Sequence, residues 1–452
     1  MEATKKIAEF ISNTGSQTIP KEAFEMAKMA ILDCTGVILA GCATDIGSIV
    51  KKYVGDVSAK GTCTLLGCNM KSSADNTAWA NGIMGHALDF DDINIHMIGH
   101  PTVVILPAIY ALNELIESSG EEFLCSYVIG LEVAAKIGNA GATKHYKNGW
   151  HATSTLGSLG ACAACAKLLK LSKEKTRMAL GIAASMSSGI RANFGTMTKP
   201  FHAGHASKNG LTAALLAAQS FTANDSILET EFGFFNTFFG KESFDISKTL
   251  DHIGDPYEIL SPGLIFKPYP CCGETHQGID ATLSLREQYD IDIGNVQSIK
   301  CILSEMVANM LHYHKPKTAL EGKFSQEYCT AVALRDGRVG LDHFTDDKVK
   351  EPSIEELINK TSVEYKDFTE EVGEHIFPAE ITVSLKSGEI YQCRVDHSKG
   401  SPENPMSKDQ FREKYRQCAK FALSEKNVNR SMEILESLEN CASLSELMEA
   451  LS

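Results

Sequence analysis

The sequence predicts a mainly α fold in which a large all-helical domain is built from both chain ends, residues 1–267 and 401–452. A smaller α+β lid domain is inserted between them at 268–400. Three observations predict this plan. Apolar residues recur at helical spacing through the first two-thirds of the chain, interrupted by stripes of small residues. Beyond Ser261 the texture becomes proline-punctuated and strand-like. From about Ser407 onward a charged amphipathic helical pattern returns. A ligand is expected in a cleft between the two domains.

Taken in order, Pro20 marks a helix start, after which Ala23, Phe24, Ala27, Ile31 and Leu32 recur at helical spacing and lead into Gly36–Gly41. A second helix begins after Ser73 and runs through Trp79 and Ile83 towards Leu88. Pro101 opens a third, with Val104, Ala108, Leu112 and Leu115 along one side. Small residues dominate Thr153 to Leu169 and Gly204 to Ala218, which lets helices approach closely. Phe266-Lys267-Pro268-Tyr269-Pro270 cannot continue a helix, because each proline biases its predecessor towards extended geometry. Val296 to Leu303 is rich in β-branched residues. Glu380 to Leu385 and Glu389 to Val395 alternate around Lys386-Ser387-Gly388, which reads as a hairpin. Asp396 to Ser407 reads as a linker.

Charge and composition exclude several classes. The 452 residues carry 43 Lys+Arg against 57 Asp+Glu, a formal charge of −14, which disfavours nucleic-acid and anionic-membrane binding. No stretch approaches the roughly 18 uninterrupted apolar residues of a membrane span. Met-Glu-Ala-Thr-Lys-Lys at the start is not followed by an apolar signal region, so a cytoplasmic protein is expected. The 14 cysteines are scattered from Cys34 to Cys441. Cys162-Ala-Ala-Cys165 has no second such pair to complete a zinc site, and adjacent Cys271-Cys272 could bind metal or oxidise, but reduced and mostly buried thiols are the expectation.

The most informative stretch is Gly85-His86-Ala87-Leu88-Asp89-Phe90-Asp91-Asp92, followed by His96 and His100-Pro101. Three carboxylates at a helix C-terminus oppose the helix dipole and repel one another, so they must bind a cation or position histidines and lysines. A solvated acidic loop is the bland alternative, but Leu88, Phe90 and Ile93 make the segment poorly polar. His100 sits just before a helix N-terminus, where backbone N–H groups favour anions. Lys144-His145-Tyr146 and Gly149-Trp150-His151 again place a histidine before a helix, although a lone histidine there is more often structural. Lys199-Pro200-Phe201-His202-Ala203-Gly204 opens another helix. Lys267 at the domain switch, His276 beyond it and Gly322-Lys323-Phe324-Ser325-Gln326-Glu327-Tyr328 complete the set. Phosphate-binding glycine loops, zinc-protease and serine-hydrolase motifs are missing. What remains suits general acid–base chemistry on a polycarboxylate. Two other classes stay open: a metal-dependent hydrolase using Asp89, Asp91, Asp92, His96 and His100, and a non-catalytic binding protein.

Together these residues resemble the MmgE/PrpD family, which includes 2-methylcitrate dehydratase, cis-aconitate decarboxylase and iminodisuccinate epimerase. The likeness also takes in Leu32-Asp33-Cys34-Thr35-Gly36, Asn209-Gly210, Lys267-Pro268-Tyr269-Pro270 and Pro402-Glu403-Asn404-Pro405, in that order along nearly the whole chain. The resemblance implies a helical domain with a smaller lid, a homodimer, and a lyase that eliminates water or CO₂ from a di- or tricarboxylate without metal or organic cofactor. It implies an epimerase or racemase of a dicarboxylate as the alternative. His100 and His151 are expected to move protons, Lys199 and Lys267 to hold carboxylates or stabilise the carbanion, and Asp89 to orient a partner. Tyr328 is expected to reach in from the lid, and His202 and His276 to help bind substrate. Tyr146 resembles an acid–base position of the epimerase branch. Departures occur near the substrate: Ile93 stands where the decarboxylases carry threonine, the Asp92–His100 segment is one residue longer, and Lys267 precedes Pro-Tyr-Pro-Cys-Cys.

Overall fold

Helix starts follow the capping chemistry that the sequence displays. Ser119 and Glu122 form a reciprocal capping box, Ser172 caps through its hydroxyl, and Pro20 stands just before a helix that it pre-organises. The computed structural model describes residues 2–57, 61–308, 310–373 and 376–452. The chain forms two compact units, one of Met1–Ile265 with Ser407–Ser452, the other of Phe266–Met406.

In the larger unit the helices are α1 (Ala3–Asn13), α2 (Lys21–Gly41), α3 (Asp45–Val57), α4 (Ala74–His86), α5 (Thr102–Ile116), α6 (Gly120–Asn139), α7 (Ala142–Lys147), α8 (Ala152–Leu168), α9 (Lys173–Met186) and α10 (Thr198–Ala218). Helices α4, α5, α6 and α8 surround one another with α10, and the stripes of small residues are their crossing points. Gly82 of α4 faces Gly204 of α10 so closely that a Cβ at Gly82 would lie 2.7 Å from the Gly204 Cα. Only glycine permits this approach, and it brings the C-terminal half of α4 beside the second turn of α10. The helix Lys408–Ala419 packs on α2, which closes the unit with residues from far along the chain.

The larger unit also contains a short antiparallel ribbon, β1 (Cys63–Leu65) with β2 (Met70–Ser72), where only helices were expected. Three-residue strands are too short to carry a period-two signal. No single helix among the described residues is long and apolar enough to cross a membrane. The pair α2 and α3 reaches that length and composition only together, bent by 81°.

The smaller unit is built on a four-stranded mixed sheet of order β4-β3-β5-β6. Strand β3 (Val296–Ser304) runs parallel to β4 (Thr361–Lys366) and antiparallel to β5 (Ala379–Leu385), which pairs with β6 (Ile390–Val395). Along β5 the buried positions alternate as Ala379, Ile381, Val383 and Leu385, and helices His276–Gln288 and Gln326–Asp336 complete the core. Gly388 supplies the positive φ of the β5–β6 turn. The segment expected to be a linker is partly ordered by its own turn: the Gly400 N–H donates to the Asn404 carbonyl, and Ser398 and Ser401 are buried. The Phe266 N–H donates to the Gly400 carbonyl at 2.9 Å, so the two ends of the inserted segment are joined and Lys267 lies in the smaller unit.

Candidate active site

The site of the larger unit is organised by the turn that follows α4. His86 is the last residue of that helix, and Asp89 then adopts a left-handed backbone with φ +53°. One residue in this conformation sends the next carboxylates in different directions. Asp91 turns inward, where it accepts a hydrogen bond from His86 Nδ1 at 2.9 Å and lies 3.3 Å from His100 Nδ1. Asp89 Oδ1 is 2.9 Å from Lys199 Nζ and 4.0 Å from His100 Nε2. Asp92 turns to the start of α5, where it receives the Thr102 N–H at 3.3 Å and shares a short hydrogen bond with the Thr102 hydroxyl, itself 2.6 Å from the Tyr127 hydroxyl.

His151 stands at the N-cap of α8, and its N–H donates to the Gly189 carbonyl. Its Nδ1 is 3.0 Å from Nδ1 of His202, on the first turn of α10. Its ring lies edge-on against Phe194 and stacks 6.0 Å from His86. The His100 N–H donates to Thr153 Oγ1 at 3.1 Å, tying the loop after the carboxylates to the first turn of α8. Four imidazoles, His86, His100, His151 and His202, thus gather around the Asp89–Lys199 pair.

Burial dictates the charge states. It pushes His86 down to about 4, against the pull of the Asp91 carboxylate, and His202 also to about 4. His151 is driven well below the usual imidazole range by burial and then by the neighbouring His86 and Lys199. Burial alone would raise Asp91, yet the imidazoles of His86 and His100 outweigh it and hold this carboxyl well below its usual range. Asp92 has no such partners, and burial pushes it up to about 8. At neutral pH, then, Asp91 is an ionised acceptor, Asp92 is a protonated donor, and the His151–His202 contact joins two neutral rings. One of those rings must donate from Nδ1 and the other accept there, so one Nε2 is left basic and the other carries a proton.

Tyr146 of α7 lies under the Arg191 guanidinium, 3.7 Å from its ring centre, and 6.5 Å from Phe194. Phe194 also meets His151 and the Lys199 ammonium, so this one ring is shared by Tyr146, His151 and Lys199. Among the described residues, donor atoms of His86, Asp89, Asp91 and His100 lie within 4.8 Å of one another, close enough for a cation. Of the metal-hydrolase set left open by the sequence, Asp89, Asp91 and His100 come together, whereas His96 pairs with Glu258 at 2.7 Å and Asp92 is engaged by Thr102. A cation in the observed cluster would compete with Lys199 for Asp89.

The smaller unit carries its own buried polar residues. Lys267 is almost fully buried, and His276 opens the helix His276–Gln288 with its ring edge-on to Tyr269. Burial raises Glu274 to about 7, opposed by the charges of His276 and Lys267. Lys323 is also buried, with Nζ donating to the Pro270 carbonyl at 2.7 Å. The Tyr328 ring belongs to the hydrophobic core of this unit, and its hydroxyl donates to the His343 carbonyl. His86 is the residue that sequence reasoning passed over as a site member, although its place five residues before Asp91 at a helix end was the available signal.

Residues 5–247 match the MmgE/PrpD N-terminal domain, and residues 269–440 match the MmgE/PrpD C-terminal domain. The chain belongs to the MmgE/PrpD family. The match to the C-terminal domain runs beyond Met406, so the family's division does not coincide with the two compact units. This MmgE/PrpD protein is similar to the cis-aconitate decarboxylase of Homo sapiens, 30% identical over 439 residues that cover 94% of this chain and 90% of that protein. A cis-aconitate decarboxylase-like protein of Aspergillus oryzae is 28% identical over 472 residues, covering 99% and 97%. A cis-aconitate decarboxylase of Aspergillus terreus is 25% identical over 471 residues, covering 99% and 96%. Family and relatives together make this MmgE/PrpD chain an enzyme of the lyase kind.

Proposed function

We propose that this MmgE/PrpD enzyme is a cofactor-independent lyase for a small tricarboxylate or dicarboxylate, with decarboxylation of a cis-aconitate-like substrate as its first candidate reaction. The observation that carries the proposal is the convergence of neutral buried imidazoles on the Asp89–Lys199 pair. In such a place the Lys199 ammonium meets a substrate carboxylate, while Asp89 holds that ammonium in position. In a decarboxylation the bond to the leaving CO₂ breaks and its electron pair remains on carbon, delocalised into an adjacent carboxylate. An imidazole N–H then delivers a proton to that carbon. In a dehydration an imidazole removes the carbon-bound proton, and hydroxide leaves as water with a second proton. His100 and His151 take these proton-transfer roles, with Tyr146 as an auxiliary, and Lys267, His202 and His276 hold substrate carboxylates. The active species is a homodimer.

The decarboxylase activity of those relatives, which this chain matches over 90% and 97% of their length, supports decarboxylation. Proton NMR of the chelator-treated protein in D₂O, with cis-aconitate, citrate, methylcitrate and iminodisuccinate, tests the reading. New olefinic signals with or without CO₂ release are expected and name the leaving group. Deuterium entering the α-position of an unchanged skeleton would replace the lyase by an epimerase. Turnover that appears only with added metal would overturn cofactor independence.

A further inference from the structure

The turn that carries Asp89 and Asp91 is neither helix nor strand, and its left-handed residue is not a glycine, so something outside the turn must hold it. Two contacts from one side chain do so, and a third holds that side chain in turn. Lys414, on the helix Lys408–Ala419, donates from Nζ to the Phe90 carbonyl at 2.9 Å. The same ammonium lies 3.8 Å from the centre of the Phe90 ring and 2.7 Å from Asp33 Oδ1 on α2. Lys414 is 6% exposed and Asp33 2% exposed. Phe90 is the residue between the carboxylates that face Lys199 and the imidazoles.

We infer that Lys414, with Asp33 as its counter-charge, is a positioning residue for the reaction, bracing the turn so that Asp89 meets Lys199 and Asp91 meets His86 and His100. The inference rests on the proposed lyase chemistry of that turn. A buried ion pair is weak evidence for stability, because desolvation of both charges offsets their attraction. A hydrogen bond to one carbonyl of an otherwise irregular turn is different: it selects one backbone arrangement among several of similar energy. Asp33 also supplies negative charge close to Asp91, and Lys414 cancels it, so the imidazoles respond to Asp91 and not to the sum of two carboxylates.

The test compares Lys414→Arg, Lys414→Met and the double variant Asp33→Asn/Lys414→Met with the full-length wild type. The double variant removes both charges, so it leaves no unpaired buried carboxylate to unfold the protein. Thermal midpoints, kcat and KM on the substrate found by NMR, the pH profile of kcat, and hydrogen–deuterium exchange of residues 88–93 are measured. The amides of Asp89 and Ile93 donate to the carbonyls of His86 and Ile265, so loss of the brace is read directly as faster exchange there. The expected result is exchange at least tenfold faster in both Met variants, kcat at least tenfold lower with KM within threefold, a displaced pH profile, and recovery of most of kcat in the Arg variant. A folded double variant with unchanged exchange, or with kcat and pH profile like the wild type, overturns the inference. Absence of turnover by the wild type would be a failure of the lyase reading instead, and exchange at 88–93 alone would then decide whether Lys414 braces the turn.

Discussion

His100 is the residue on which the proposed chemistry turns most directly. It lies between two carboxylates, 4.0 Å from Asp89 through Nε2 and 3.3 Å from Asp91 through Nδ1, so its orientation is constrained from both sides. If it transfers a proton, His100→Ala lowers kcat by about 10²–10⁴-fold with the fold intact. Steady-state kinetics alongside circular dichroism checks this, and turnover retained by a folded variant removes His100 from the mechanism. Part of this site was legible in the sequence: His100, His151 and Lys199 each open a helix, which a proline or a run of small residues announces. The different fates of Asp89, Asp91 and Asp92 were not. They depend on a single φ of +53°, which adjacent identical side chains do not reveal. Nor does a sequence show towards which carbonyl a buried tyrosine hydroxyl points, as that of Tyr328 does towards His343.

At the scale of elements, α4 and α10 deliver opposite sides of the site, His86 from one and Lys199 with His202 from the other. Their contact depends on glycines: a Cβ at Gly204 would lie 2.1 Å from the Trp79 carbonyl oxygen. Gly204→Ala therefore forces the helices apart and costs about 1–3 kcal/mol, readable as a lower thermal midpoint. An unchanged midpoint would show that the crossing tolerates bulk. The start of α5 carries a second prediction. Asp92 titrates at about 8 in the folded chain against an ordinary 3.8, so its stabilising protonated state is complete at low pH and is lost as pH rises through about 8. Asparagine reproduces the neutral form and can both accept the Thr102 N–H and donate to its hydroxyl. The thermal midpoint of Asp92→Asn relative to wild type is expected to rise with pH from about 5 to about 8 and then level off. A difference independent of pH would mean that Asp92 is ionised throughout. Prolines and small-residue stripes made these helices readable beforehand, whereas the β1–β2 ribbon offered six residues and no periodicity.

For the whole molecule, the buried histidines set the acid limit. His86, His145 and His202 fall to about 4, and His151 is also driven well below its ordinary value, each because burial disfavours the imidazolium. An unfolded chain takes up these protons near the ordinary value of 6.5, whereas the folded chain refuses them until about 4. The stability they contribute is therefore present above 6.5 and is lost as pH falls towards 4. Calorimetry from pH 8 to 4.5 is expected to show a falling midpoint with net proton uptake on unfolding below about 6.5. A midpoint that stays level down to pH 5 would contradict the neutral, buried imidazoles on which the proposed acid–base chemistry depends.

The bond between Lys414 and Phe90 spans 324 residues. On a ribosome adding about 5–20 residues per second, the turn waits on the order of tens of seconds for its brace after it has been synthesised. During that interval α4 and α10 can pack, but the turn after α4 lacks the hydrogen bond to its Phe90 carbonyl. A nascent chain interrupted before the helix Lys408–Ala419 would lack both this brace and the helix that packs on α2, so translation itself sets the moment at which this protein becomes competent.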